Sequence, residues 1–229
     1  MIDESSTPKD FLPALKSSYL ANSPFFSYIR GSEFKRLLGQ VTNLVEREQI
    51  KTLAILSAYP QEGRTFVVAT LALGYAVLLK KRVLIVNTAL KLRANSLNIK
   101  RLYDEELRHA PGPKRGQSDR MIDLMSPEMN SREESQADTV DFQIGNYISA
   151  FKQNYDLTLI DNCALILKDE KIIDPIVIAS QADASFLVTS EKSLKRGQLT
   201  ETKDLLSKWR VRLVGSVYND YSRRGILKP

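Results

Sequence analysis

Ala58-Tyr59-Pro60-Gln61-Glu62-Gly63-Arg64-Thr65 lies between a short apolar run, Leu53-Ala54-Ile55-Leu56, and a long apolar stretch at residues 65–79. The run reads as a strand closed by a turn containing Pro60 and Gly63, and the stretch reads as a buried helix. Between a strand and a helix, backbone N–H groups and the helix N-terminus can cradle phosphate. A lysine after the last glycine then reaches the phosphate oxygens, and a Ser or Thr hydroxyl holds Mg²⁺. The octet has that spacing in its relaxed form, with Ala58 for the first glycine, Arg64 at the lysine position and Thr65 at the hydroxyl position. Ala58, Pro60, Gly63, Arg64 and Thr65 are therefore the candidate phosphate contacts.

Working outward, Arg82-Val83-Leu84-Ile85-Val86 follows the helix as a second strand. Strand, helix and strand with buried apolar strands make a βαβ unit, whose strands pair in parallel. The alternation resumes with a helix at 142–151, strands at 157–160 and 185–188, a helix at 194–209 and a strand at 211–217. It predicts an α/β fold of the P-loop NTPase-like kind, a parallel sheet flanked by helices on both faces. Ahead of the loop, Phe34, Leu37, Leu38, Val41 and Leu44 recur at helical spacing over 32–47. Residues 1–24 read as a polar N-terminal arm, 25–220 as the domain and 221–229 as a short basic tail. Residues 93–141, rich in charge, read as a mobile or extended excursion within the domain.

The chain's 229 residues suit one large domain, and its net charge is +6, from 33 Lys and Arg against 27 Asp and Glu. A single cysteine, Cys163, allows no internal disulfide and reads as a small buried filler in a reducing compartment. A single histidine, His109, rules out histidine triads and multi-histidine metal sites. The polar, acidic N-terminus does not read as a secretory signal, so the expected location is cytoplasmic.

The loop does not stand alone. Val83-Leu84-Ile85-Val86-Asn87-Thr88-Ala89 is an apolar strand followed by the positions of a second motif. Tyr155-Asp156-Leu157-Thr158-Leu159-Ile160-Asp161 is an apolar strand ending in aspartate. Leu213-Val214-Gly215-Ser216-Val217-Tyr218-Asn219 is a late strand, and Ser23-Pro24 through Glu33-Phe34-Lys35-Arg36 leads the domain. Together these stretches, from about residue 23 to 220, resemble the kinase domain of bacterial tyrosine kinases of the capsule and exopolysaccharide type. That group lies within the MinD/ParA-like P-loop proteins. The resemblance implies Mg²⁺ held by Thr65 and Asp161, an adenine contact at Asn219, and an oligomerisation helix carrying Glu33 and Arg36. The apolar side of that helix would then be shared between the core and a neighbour. It also implies a location at the inner face of the membrane through a polysaccharide co-polymerase.

Several positions depart from that pattern. Arg64 keeps a positive charge, but a planar fork does not replace a compact ammonium in a tight loop. Asn87 and Ala89 stand where the family carries two aspartates that help hold Mg²⁺ and activate the attacking group. Phosphoryl transfer draws its rate from positioning and from neutralising phosphate charge, so these changes imply a loss of many orders of magnitude. Asn162-Cys163-Ala164 replaces a proline-containing turn, and the tail has one tyrosine, Tyr221, in place of a cluster. Arg36 is followed by Leu37-Leu38-Gly39, without the motif's last arginine.

The expectation is a catalytically degenerate, pseudokinase-like domain. It would be a regulatory or binding subunit in exopolysaccharide or capsule synthesis or export, with weak or absent binding of ATP or ADP with Mg²⁺. Its partners would be a membrane polysaccharide co-polymerase, or a second copy through Glu33 and Arg36. One alternative is an active but atypical ATP-dependent tyrosine kinase or ATPase, with Arg64 serving the phosphates. Another is a MinD/ParA-like partition protein bound to DNA or membrane. Those carry an early loop lysine where Tyr59 stands, so nucleic acid is not the expected partner.

Overall fold

The computed structural model describes residues 28–88, 121–125, 144–146, 148–150, 152–166, 174–190 and 198–220. The elements in order are α1 (Ser32–Arg47), β1 (Thr52–Ser57), α2 (Arg64–Leu73), β2 (Val83–Asn87), β3 (Ile122–Met125), β4 (Leu157–Asp161), α3 (Pro175–Gln181), β5 (Ala184–Ser190), α4 (Gln198–Lys208) and β6 (Leu213–Asn219). The six strands form one sheet in the order β3-β2-β4-β1-β5-β6. Every pairing is parallel.

Alternation along the strands builds two cores, because successive strand residues point to opposite faces. Leu53, Ile55, Val83, Ile85, Leu157 and Leu159 pack with α1 and α2 on one face. Ala54, Leu56, Leu84, Val86 and Ile160 pack with Ile178 of α3 and Leu206 of α4 on the other. The sheet is therefore covered on both sides, as the apolar runs predict. Asp183 fixes where β1 and β5 begin. Its Oδ2 accepts the Lys51 and Thr52 N–H groups, each at 2.8 Å, and Lys152 bonds its Oδ1 at 2.5 Å.

Two expectations change. Residues 122–125, assigned by sequence to the mobile or extended excursion, are strand β3, in register with β2 from Val83↔Ile122 to Val86↔Met125. A four-residue edge strand holding Asp123 has too short an apolar pattern to stand out from a charged stretch. The helix over 65–79 is α-helical only to Leu73, and Gly74–Leu78 is a π-turn. On the apolar side of α1, Phe34, Leu38 and Val41 are buried within this chain's own core and Leu37 is partly buried against it. Phe34 lies against Gly74, where an added Cβ would come within 2.8 Å of its ring, so glycine opens the space for the helix contact. The arm at 1–24, the tail at 221–229, Ala89 and His109 fall outside the described residues.

Candidate phosphate site

β1 delivers the loop at the carboxyl end of the central strand, and α2 begins directly after it. Gly63 has φ +91°, a left-handed conformation open to glycine, and Asn219 Nδ2 would lie 2.0 Å from any Cβ added there. Both facts require glycine at this position. Gln61 is also left-handed, at φ 66°. The loop is pinned from two sides. Ser57 Oγ donates to the Tyr59 carbonyl at 2.7 Å, and the Leu165 and Ile166 N–H groups donate to the Ser57 and Ala58 carbonyls at 2.9 and 3.0 Å.

At the centre of the site, Thr65 Oγ1 donates to Asp161 Oδ2 at 2.7 Å. Asp161 is buried, and burial raises its pKa above the ordinary 3.8, with the Arg64 charge and the Thr65 bond pulling it back. Its Oδ1 is buried without a hydrogen-bond partner among the described residues. Arg64 is largely buried, and burial lowers its pKa, offset by Asp161, Cys163 and Glu62. The guanidinium Nε and one Nη are buried and make no hydrogen bond among the described residues.

Glu62 was not singled out by sequence reasoning. It is 3% exposed, and its Oε2 accepts the Tyr59 N–H at 3.0 Å. That amide belongs to the set a phosphate would engage, so a carboxylate already occupies part of the cradle. The available signal was an acid inside a loop whose geometry suits anions. Two buried carboxylates, Glu62 and Asp161, thus face one guanidinium.

Asn87 ends β2 level with Asp161 across the β2–β4 pair. It is buried, and it brings a neutral amide to a position beside the metal-type acid. Asn162 is buried and ties the turn together. It accepts from Thr88 Oγ1 and the Cys163 N–H, and it donates to the Pro175 carbonyl that opens α3. These bonds hold the turn where a proline would otherwise stiffen it. Cys163 is buried beside it. Asn219, the proposed adenine contact, is turned to the loop: its Nδ2 donates to the Glu62 carbonyl at 2.9 Å.

Mg²⁺ at nucleotide sites needs only one or two protein oxygens, with phosphates and water completing the shell. Thr65 and Asp161 supply that number and are the residues that would hold the ion, while the Arg64 charge acts on the same carboxylate. Among the described residues no three His, Cys, Asp or Glu side chains gather as a metal cluster.

The parallel order and the strand–loop–helix site define a P-loop NTPase-like fold of the MinD/ParA kind. The kinase domain of Escherichia coli tyrosine kinase ETK shares it at TM-score 0.57 and 18% identity, over 82% of this chain and 74% of that one. The VpsO kinase domain does so at 0.59 and 16%, over 87% and 100%. The Pyrococcus furiosus cell division ATPase MinD matches at 0.52 and 19%, over 78% and 76%. At these identities the likeness is one of fold. No family model and no curated protein matches the chain.

Proposed function

We propose that this chain is a P-loop domain that has given up phosphoryl transfer and acts as a regulatory or binding subunit of exopolysaccharide or capsule machinery. The observation that carries the first half is the charge balance of the site: Glu62 and Asp161 against Arg64 alone, with Asn87 neutral where an acid is needed. A buried excess of negative charge repels a polyphosphate. Arg64 beside Asp161 also blunts the attraction for the Mg²⁺ that would offset it. The second half is supported by the fold shared with bacterial tyrosine kinase domains.

A ligand at about a hundred times its Kd stabilises a fold by about 2.7 kcal/mol, roughly 5–10 °C in Tm for a chain of this size. Millimolar Mg-ATP or Mg-ADP is expected to leave the melting temperature unchanged. A clear shift that disappears in Thr65→Ala would favour the active alternative, which rests on the intact Thr65–Asp161 pair.

The partner surface is expected along the outer side of α1, where Glu33 and Arg36 are exposed while Phe34, Leu38 and Val41 are buried at home. Exchanging exposed rim charges changes association rate and salt dependence and leaves the core untouched. Glu33→Arg with Arg36→Glu is expected to weaken capture of a co-polymerase's cytoplasmic segments, or self-association in sedimentation, at unchanged Tm. Equal binding by the exchanged protein removes α1 as the interface.

A further inference from the structure

Because all six strands run in parallel, every helix-to-strand turn arrives at the same end of the sheet, opposite the phosphate loop. β1 is six residues long, which places this base about 20 Å from the loop. Residues 47–51, 79–82, 152–156, 182–183 and 208–212 make up the base, and they hold nine basic residues against three acidic ones. Among the described residues, ion pairs engage five of the nine: Arg47 and Arg212 with Glu48, Lys152 with Asp183, and Lys81 and Arg82 with Glu46 and Asp123, two acids just outside these ranges. Lys208 and Arg210 stand exposed beside Trp209, which is 54% exposed. At the other helical layer, Leu78 is 39% exposed, two residues before Lys80.

The backbone gives the independent observation. Gln49, Lys80 and Arg210 occupy the left-handed region, at φ 53°, 56° and 56°, one in each of three helix-to-strand turns. Bonds from Ile50 N–H to Val45, from Lys81 N–H to Tyr75 and from Val211 N–H to Leu206 close those turns. Glycine takes that conformation without steric cost and is the usual residue there. Here a long polar side chain stands at each of the three positions, and two of them are basic.

We infer that the base of the sheet is a docking surface for an anionic lipid bilayer. Trp209 and Leu78, one from each helical layer, enter the interfacial zone, while Lys80, Lys208 and Arg210 face headgroup phosphates. Exposed apolar side chains set among basic ones are the signature of interfacial binding, and tryptophan favours that depth. A nucleic-acid backbone would meet the charges but offers Leu78 no apolar environment. The inference is independent of nucleotide binding, since the loop lies at the far end of the sheet.

Trp209 is the only tryptophan in the chain, so its emission reports on this surface alone. With mixed phosphatidylglycerol–phosphatidylcholine vesicles, its emission is expected to shift to the blue and to be quenched by brominated acyl chains. Pure phosphatidylcholine should produce neither effect, and added salt should reverse both. Lys80→Gly with Arg210→Gly relieves the left-handed positions, so Tm should hold or rise. Affinity for the vesicles should fall about thirtyfold, the weight of two basic residues near an anionic surface. If that variant melts lower, Lys80→Gln with Arg210→Gln removes the charges with less backbone change and should show the same loss. Unshifted emission at saturating vesicles, equal affinity of the charge-removed variants, or tighter binding to a DNA duplex than to vesicles overturns the inference.

Discussion

Phe34→Ala is expected to destabilise the domain by about 3–5 kcal/mol, the range for emptying a buried aromatic site, and to lower Tm by roughly 10 °C. Phe34 is 1% exposed, its ring centroid lies 5.6 Å from that of Tyr28, and it fills the space that Gly74 leaves open on the helix after the phosphate loop. Its removal empties the seam between α1 and the π-turn. Filling the seam from the other side, with Gly74→Ala, should also destabilise, by about 1–3 kcal/mol through overpacking. Combining Gly74→Ala with Phe34→Leu should recover part of that loss, since the two residues share one space. Urea unfolding measures all three. A loss below about 1 kcal/mol for Phe34→Ala, well under the range for a buried aromatic, would mean that α1 is not packed on its own core and is free to serve a neighbour.

Arg64→Met is expected to cost about 1–3 kcal/mol, the range for leaving a buried polar group uncompensated, because it removes the charge that offsets the burial of Asp161. The pH dependence gives the mechanism its own readout. Burial holds the folded pKa of Asp161 above 3.8, and losing Arg64 raises it further. An acid with a raised folded pKa binds more protons in the native state than in the unfolded one. Its contribution to stability is therefore present at low pH and is lost as pH climbs from 3.8 through the folded pKa. The urea midpoint of Arg64→Met should fall more steeply than wild type over that window. Adding Asp161→Asn removes the titrating group and should flatten the curve and restore most of the stability. A flat curve in the single variant would show that Arg64 does not serve Asp161.

The sheet's interior was legible because β1, β2, β4 and β5 are buried on both faces and read as apolar runs. β3 was hidden by its length and by Asp123 in the middle of Ile122-Asp123-Leu124-Met125. α3 carried a readable start, with Asp174 capping the Ile176 N–H and Pro175 at the first position, but its seven residues are too few for a periodic pattern. At the site, loop spacing pointed to Gly63 and Thr65, and the family resemblance added Asp161 at a strand end. Spacing said nothing about direction. That Glu62 folds inward onto a loop amide, and that Asn219 bonds the loop backbone, depends on side-chain orientation set by distant elements. The charge of the base was equally hidden, because its residues come together only through the parallel topology.

The place of β1 has a consequence for how the chain comes into being. Both of its sheet neighbours, β4 and β5, begin at residue 157 or later. About a hundred residues must follow β1 before either exists, which at ribosomal speeds is roughly 5–20 s. During that interval Leu53, Ile55 and Leu56, the centre of the finished sheet, have no strand to pair with. The nascent protein therefore carries this central apolar strand unprotected for longer than many small domains take to fold. A chain ended before residue 157 is expected to aggregate, not to form a smaller stable sheet. Yield in the cell should accordingly depend on chaperone capacity more than the native domain's final stability would suggest.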